Sequence, residues 1–123
     1  MNIEQGKSAQ PEITKRPVLV VLIGCLFIAA GAFGIIYHAP EFRILDSELM
    51  WVLSVRLLAI VGGVFALRGA NWARWLLLAW IVYHVILSVF HPISELVVHV
   101  VLCVVVAYGL FRSQSSVYFR EAR

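Results

Sequence analysis

Residues Val18 to Tyr37 form a twenty-residue run without a charged side chain. That length matches the ~20 residues a helix needs to cross a hydrocarbon core of ~30 Å. Three more segments repeat the pattern. Met50 to Leu67 is eighteen residues long and is interrupted only by Arg56; Trp75 to Phe90 is sixteen long, with Tyr83 and His84 as its ionisable side chains; Ile93 to Phe111 is nineteen long and contains Glu95 and His99. Trp72 and His91 extend the third segment to interfacial depth. In lipid every backbone polar group must be paired inside its own segment or within a closed barrel, and runs of this length suit helices, not strands of about ten residues. Composition agrees: 62% of the 123 residues are hydrophobic and 14% are charged, against about 25% charged in soluble domains. The sequence therefore predicts one all-α domain over 17–112, a membrane-embedded four-helix bundle with up-down-up-down order. Its helices are expected at about 17–37, 50–68, 72–90 and 92–111, between tails at 1–16 and 113–123.

The net charge of +3 is distributed unevenly. Lys7, Lys15 and Arg16 precede the first helix, Arg68 and Arg74 flank the turn between the second and third, and Arg112, Arg120 and Arg123 follow the fourth. The 38–49 connection carries only Arg43, beside Glu41, Asp46 and Glu48, and the 91–92 turn carries no Lys or Arg. Eight basic residues against one is a positive-inside signal that puts both termini in the cytoplasm. The basic excess is thus topological, and no nucleic-acid partner is needed to explain it.

Residues 1–16 are polar, include Pro11 and show no apolar period, which predicts a mobile cytoplasmic tail. Leu22-Ile23-Gly24-Cys25 resembles the lipobox of bacterial lipoproteins, but twelve uncharged residues follow the cysteine, which favours an uncleaved helix. The 38–49 connection reads either as a plain linker or as a short interfacial helix turning Phe42, Leu45 and Leu49 to lipid. In LRGANWARW, residues 67–75, Gly69 is suited to end the second helix and Asn71 to cap the third. Trp72 and Trp75 then share the headgroup level with Arg68 and Arg74. This basic-aromatic turn, with the four-helix layout, resembles small uncharacterised bacterial four-helix integral membrane proteins, and the resemblance implies no particular activity. Chains of this size are also similar, in length alone, to the small multidrug transporters and the fluoride channels. The first helix lacks the embedded glutamate of the former, and the glycine-rich and Phe-box signatures of the latter are absent.

Small residues recur four apart: Ala30 with Gly34, Ala59 with Gly63, and Gly62 with Ala66. Such pairs let helix backbones approach closely, either within the bundle or across a homodimer face. Cys25 and Cys103 are lone cysteines in separate segments without a CxxC spacing, which fits small apolar filler.

The polar residues of the last two segments fall into stripes. His84, Ser88 and His91 lie four and three apart; Glu95, His99 and Cys103 lie four apart. A hairpin folded about His91-Pro92, with Pro92 as first helical residue and His91 as cap, brings His84 level with His99 and Ser88 level with Glu95. At a rise of ~1.5 Å per residue, His84 and His99 sit ~10 Å inside the outer boundary and Arg56 ~9 Å, with Glu95 about one turn nearer the surface. A charge in hydrocarbon costs about 3 kcal/mol or more, so Arg56 and Glu95 are natural partners.

The candidate polar cluster is therefore Arg56, His84, Ser88, Glu95 and His99. It is open to three interpretations: structural polar glue in a tight hairpin, a ligand or proton site facing the outer solution, or a haem or metal site using the histidines. No HExxH, GxSxG, P-loop or GxGxxG pattern occurs, and the soluble segments are too short for a catalytic domain, so no enzyme and no cofactor is expected. The sequence points first to a non-catalytic multi-pass protein of the bacterial inner membrane, an interaction or accessory subunit whose partners are the lipid bilayer and a homodimer or larger membrane complex. A small transporter or permeation unit comes second.

Overall fold

The computed structural model describes residues 16–121, so the expected N-terminal tail lies, apart from Arg16, outside the described residues. Within them the chain is all-α. The helices are α1 (Val18–His38), α2 (Ser47–Leu67), α3 (Asn71–Ser88), α4 (Ile93–Phe111) and α5 (Ser113–Glu121), with a 3₁₀ helix, Ala39–Arg43, continuing α1. Three helical stretches are long and apolar enough to cross a membrane: Val18–Arg43, Ser47–Leu67 and Ile93–Phe111. α3 is less apolar because Asn71, Arg74, Tyr83 and His84 fall within it.

The helix ends follow local chemistry that departs from expectation in three places. α2 starts three residues before Met50, because the Asp46 carboxylate accepts a 2.8 Å hydrogen bond from Leu49 N–H and so caps the helix. The 38–49 connection forms a 3₁₀ turn followed by this cap. Between α2 and α3, Gly69 adopts φ 82°, with Gly69 N–H bonded to Ala66 O and Ala70 N–H to Phe65 O. Those two bonds make a Schellman motif, in which a left-handed glycine is favoured. The motif uses up Ala70, which also becomes the residue before α3, so Asn71 enters the first turn and does not cap it. Its Oδ1 is buried without a hydrogen bond among the described residues. At the other hairpin Pro92, not His91, is the cap residue of α4, and its carbonyl accepts from Glu95 and Leu96 N–H.

α1 and α2 make the closest helix contact, running antiparallel. A Cβ added at Gly24 would lie 2.8 Å from the Leu67 side chain, and one at Gly63 would lie 2.7 Å from the carbonyl oxygen of Gly24. One at Gly31 would lie 2.8 Å from Arg56 O, and one at Gly34 would fall 2.5 Å from Arg56 Nε. Gly62 meets Leu77 of α3 in the same way. Ala59 and Ala66 are fully buried. The small residues are thus used for packing inside the chain.

The second and third helices are joined by Trp80 Nε1, which donates to Val55 O at 2.8 Å, and by Trp51 Nε1, which donates to Tyr83 OH at 2.9 Å. A core of Val20, Ile23, Phe27, Leu77, Ile81, Val106 and Leu110 fills the interior.

The segment after Arg112, expected as a tail, is helical and folds back on the bundle. Phe119 is fully buried and Tyr118 nearly so. Tyr118 OH donates to Leu67 O at 2.6 Å, satisfying a carbonyl that the end of α2 leaves open. Arg74 lies 4.8 Å from the centroid of the Phe111 ring and 5.4 Å from that of Phe119, and its Nη1 donates to Ser116 Oγ at 3.2 Å. Aromatic residues explain why this segment docks: Tyr118 and Phe119 are covered by the bundle, while Val117 stays exposed.

Two substitutions separate these contributions. Gly63→Leu drives a side chain into the α1 backbone and should cost about 1–3 kcal/mol, the range for overpacked cores. Tyr118→Phe removes one hydrogen bond and should cost about 1 kcal/mol. Thermal unfolding in detergent should rank them in that order, Gly63→Leu below Tyr118→Phe below the unaltered chain.

Candidate functional site

At the end of the bundle opposite α5, a cavity of about 460 Å³ lies between α1, α2, α3 and α4. Its polar lining comprises Arg56, His84, Ser88, His91, Glu95 and His99, and its apolar wall includes Leu26, Phe27, Trp80, Ile81 and Leu102. All five residues of the expected polar cluster therefore line one space. Cys103 does not line it.

Each polar side chain is held by its own helix. His84 Nδ1 lies 3.0 Å from Trp80 O, His91 Nδ1 2.9 Å from Leu87 O, and His99 Nδ1 2.8 Å from Glu95 O. A carbonyl oxygen only accepts, so Nδ1 carries the proton in all three rings. Ser88 Oγ donates to His84 O at 2.7 Å and lies 2.8 Å from His99 Nδ1, so it accepts a second bond from that N–H. Ser88, expected level with Glu95, meets His99 instead. The reason is that its hydroxyl, anchored one turn back, lies within reach of the imidazole and not of the carboxylate.

The His84 ring stacks on Trp80 with centroids 3.7 Å apart, and the His84 and His99 rings stack at 5.9 Å with an interplanar angle of 28°. The expected level placing of His84 and His99 across the hairpin is what the structure has. Phe27 packs edge-on against Trp80 at 5.3 Å, closing the α1 side.

Arg56 and Glu95, expected as partners, form no ion pair. A His–carboxylate contact is found instead between His38 Nδ1 and Glu41 Oε2, 3.0 Å apart at the end of α1. Arg56 is drawn toward α1, where its Nε and Cδ occupy the space that a side chain at Gly34 would take. Glu95 projects from the exposed first turn of α4, near the positive end of that helix. Neither side chain has a hydrogen-bond partner among the described residues.

Among the described residues no three His, Cys, Asp or Glu side chains converge where they could hold a metal ion. Haem held between two histidines needs a nitrogen of each ring aimed at the iron from opposite faces of the macrocycle, and stacked rings do not present that arrangement.

Two contributors, Trp80 and Phe27, were not singled out from the sequence. Trp80 lies one turn before His84 on the same helix face, so the i, i+4 spacing was an available signal. Phe27 has no local signal, because its role arises only from contact with another helix; Gly34 has its spacing from Ala30, which marks close packing but not the seat of Arg56. No protein-family model, no curated protein and no solved structure matches the chain. The likeness carried by the RGANWARW turn thus rests on that turn and on the helical layout.

The hydrogen bonds fix a tautomer that can be read directly. Nitrogen-15 NMR of histidine-labelled protein at a pH where the rings are neutral should show His84 and His99 protonated at Nδ1. Ser88→Ala should leave His84 unchanged and alter only the His99 signals.

Proposed function

We propose that the chain is a non-catalytic, four-span protein of the bacterial inner membrane that binds a small polar ligand in a cavity open to the outer side. The observation that carries this is the convergence of Arg56, His84, Glu95 and His99 on one cavity, with Arg56 and Glu95 unpaired. Ionisable groups at membrane depth face a bundle interior or water and mark ligand or ion paths, because leaving them in lipid is costly. A cavity of this size falls within the range of small-molecule sites, ~300–1,000 Å³.

Three helices are apolar enough to span, and connectivity supports α3 as a fourth. The turns at 68–70 and 89–92 are too short to let α3 lie anywhere but antiparallel between α2 and α4. Its polar groups are turned inward: Trp80 Nε1 to Val55 O, His84 and Ser88 to the cavity. The basic residues Arg68, Arg74 and Arg112 gather at the α5 end, which by the positive-inside rule is the cytoplasmic one.

Binding is favoured over permeation by the other half of the molecule. On the α5 side of the cavity Val20, Ile23, Leu77, Val106 and Leu110 are at most 3% exposed, and no Asp, Glu, Lys, Arg or His is among the buried residues of that core. A transporter needs an opening on that side too. A binding or accessory subunit does not.

Two measurements test this. A cysteine placed at Leu87, with Cys25 and Cys103 changed to serine, should react with a membrane-impermeant thiol reagent added outside intact cells. A cysteine at Ala70 should react only after permeabilisation, and the reverse pattern would overturn the orientation. In liposomes, solute leak should be equal for the unaltered chain and Glu95→Gln; a leak that depends on Glu95 would instead favour permeation.

A further inference from the structure

The cavity's donors and acceptors are unevenly divided, and the division defines its ligand. Arg56 supplies five N–H donors and no acceptor. Everything else polar on the wall is committed to accepting. The Nδ1–H groups of His84, His91 and His99 are spent on backbone carbonyls, so each neutral ring offers only the Nε2 lone pair. The Ser88 hydroxyl proton is spent on His84 O. Glu95, when ionised, accepts only.

A cavity with one cation held against Gly34 and an anion with three imidazole acceptors nearby is complementary to a molecule of opposite arrangement. Such a molecule has an acid group for Arg56 and several N–H donors for Glu95 and the Nε2 atoms. A primary ammonium has three such donors. A quaternary ammonium has none, and a simple anion offers nothing to Glu95 but repulsion.

Resting on the binding role proposed above, we infer that the ligand is a primary-amine zwitterion, an acid group and an ammonium joined by a short linker, with an apolar portion against Phe27, Trp80 and Leu102. Two sources share this chemistry: the phosphoethanolamine headgroup of a membrane lipid, and a free zwitterion such as an apolar amino acid. The separation of Arg56 and Glu95 supports it, because two opposite charges on one cavity wall that do not pair with each other leave both ends of a zwitterion to be met. An Arg–carboxylate or Arg–phosphate contact is charge-assisted and bidentate, which fixes one end of the ligand and lets the amine select at the other.

The test uses the full chain purified in detergent, with phosphatidylethanolamine, phosphatidylglycerol and phosphatidylcholine of identical acyl chains, and O-phosphoethanolamine and L-leucine as free probes. Binding is read by native mass spectrometry for the lipids and by the shift in thermal midpoint for all five. The ethanolamine lipid should bind about tenfold or more tightly than the other two, a difference of about 1.4 kcal/mol. Glu95→Gln should remove its advantage over phosphatidylglycerol, and Arg56→Gln should weaken every probe that binds.

Binding of the ethanolamine lipid alone identifies the lipid as the source; binding of a free probe that displaces it identifies a solute. Both support the inference. Equal binding of all three lipids, lost in Arg56→Gln, would overturn the zwitterion and leave the cavity a general anion site. Binding insensitive to both substitutions would overturn the cavity as a site. The comparison among lipids on the unaltered chain stands even where a variant fails to fold.

Discussion

The close approach of α1 to α2 is the contact on which the rest of the molecule depends. Lipid gives no hydrophobic reward for bringing two apolar helices together, so their association rests on van der Waals fit. Glycines at 24, 31, 34 and 63 provide that fit by letting backbone meet backbone or side chain directly. The same fit determines where Arg56 goes. With no Cβ at Gly34, the arginine stem lies flat across α1, and its guanidinium is held at the cavity wall and not drawn to Glu95. A packing device thereby becomes an electrostatic one.

A second economy runs through the polar side chains. Ser54, His84, Ser88, His91 and His99 each hydrogen-bond the carbonyl four residues back. In water such bonds compete with the helix and bend it slightly. In a low-dielectric setting they meet the demand of a buried donor without calling on a neighbouring helix. The consequence is directional: donors are satisfied at home, and acceptors are left for whatever enters.

The segments long enough to span a membrane, the stripes of α3 and α4, and the level placing of His84 with His99 were legible in the sequence because each depends only on length or helical spacing. The Arg56–Glu95 pairing and the cap at Asn71 failed for a shared reason. Both assumed that a residue acts by its own preference, while a neighbour had already taken the position: Gly34 opens a seat for Arg56, and the Schellman bonds of Gly69 and Ala70 consume the residues before Asn71. The helix after Arg112 was missed because nine residues rich in serine carry little apolar period; of its side chains Ser115, Tyr118 and Phe119 are buried.

The two ends of the bundle solve opposite problems. At the α5 end, arginines lie over aromatic rings, Arg68 on Phe65, Arg74 on Phe111 and Phe119, Arg112 on Tyr108, and Tyr118 closes an open carbonyl. Charge there is spread over π faces, and the polar groups at the α2 terminus are met from within the chain. At the cavity end Arg56 has no ring beneath it and forms no ion pair with Glu95. Desolvating a guanidinium without a partner costs several kcal/mol. That cost is small only if water or a bound anion supplies the missing contacts, since no acceptor on the wall hydrogen-bonds Arg56. The two ends therefore differ in how cations are met: Arg68, Arg74 and Arg112 lie over rings of their own chain, and Arg56 lies at the wall of the cavity without one.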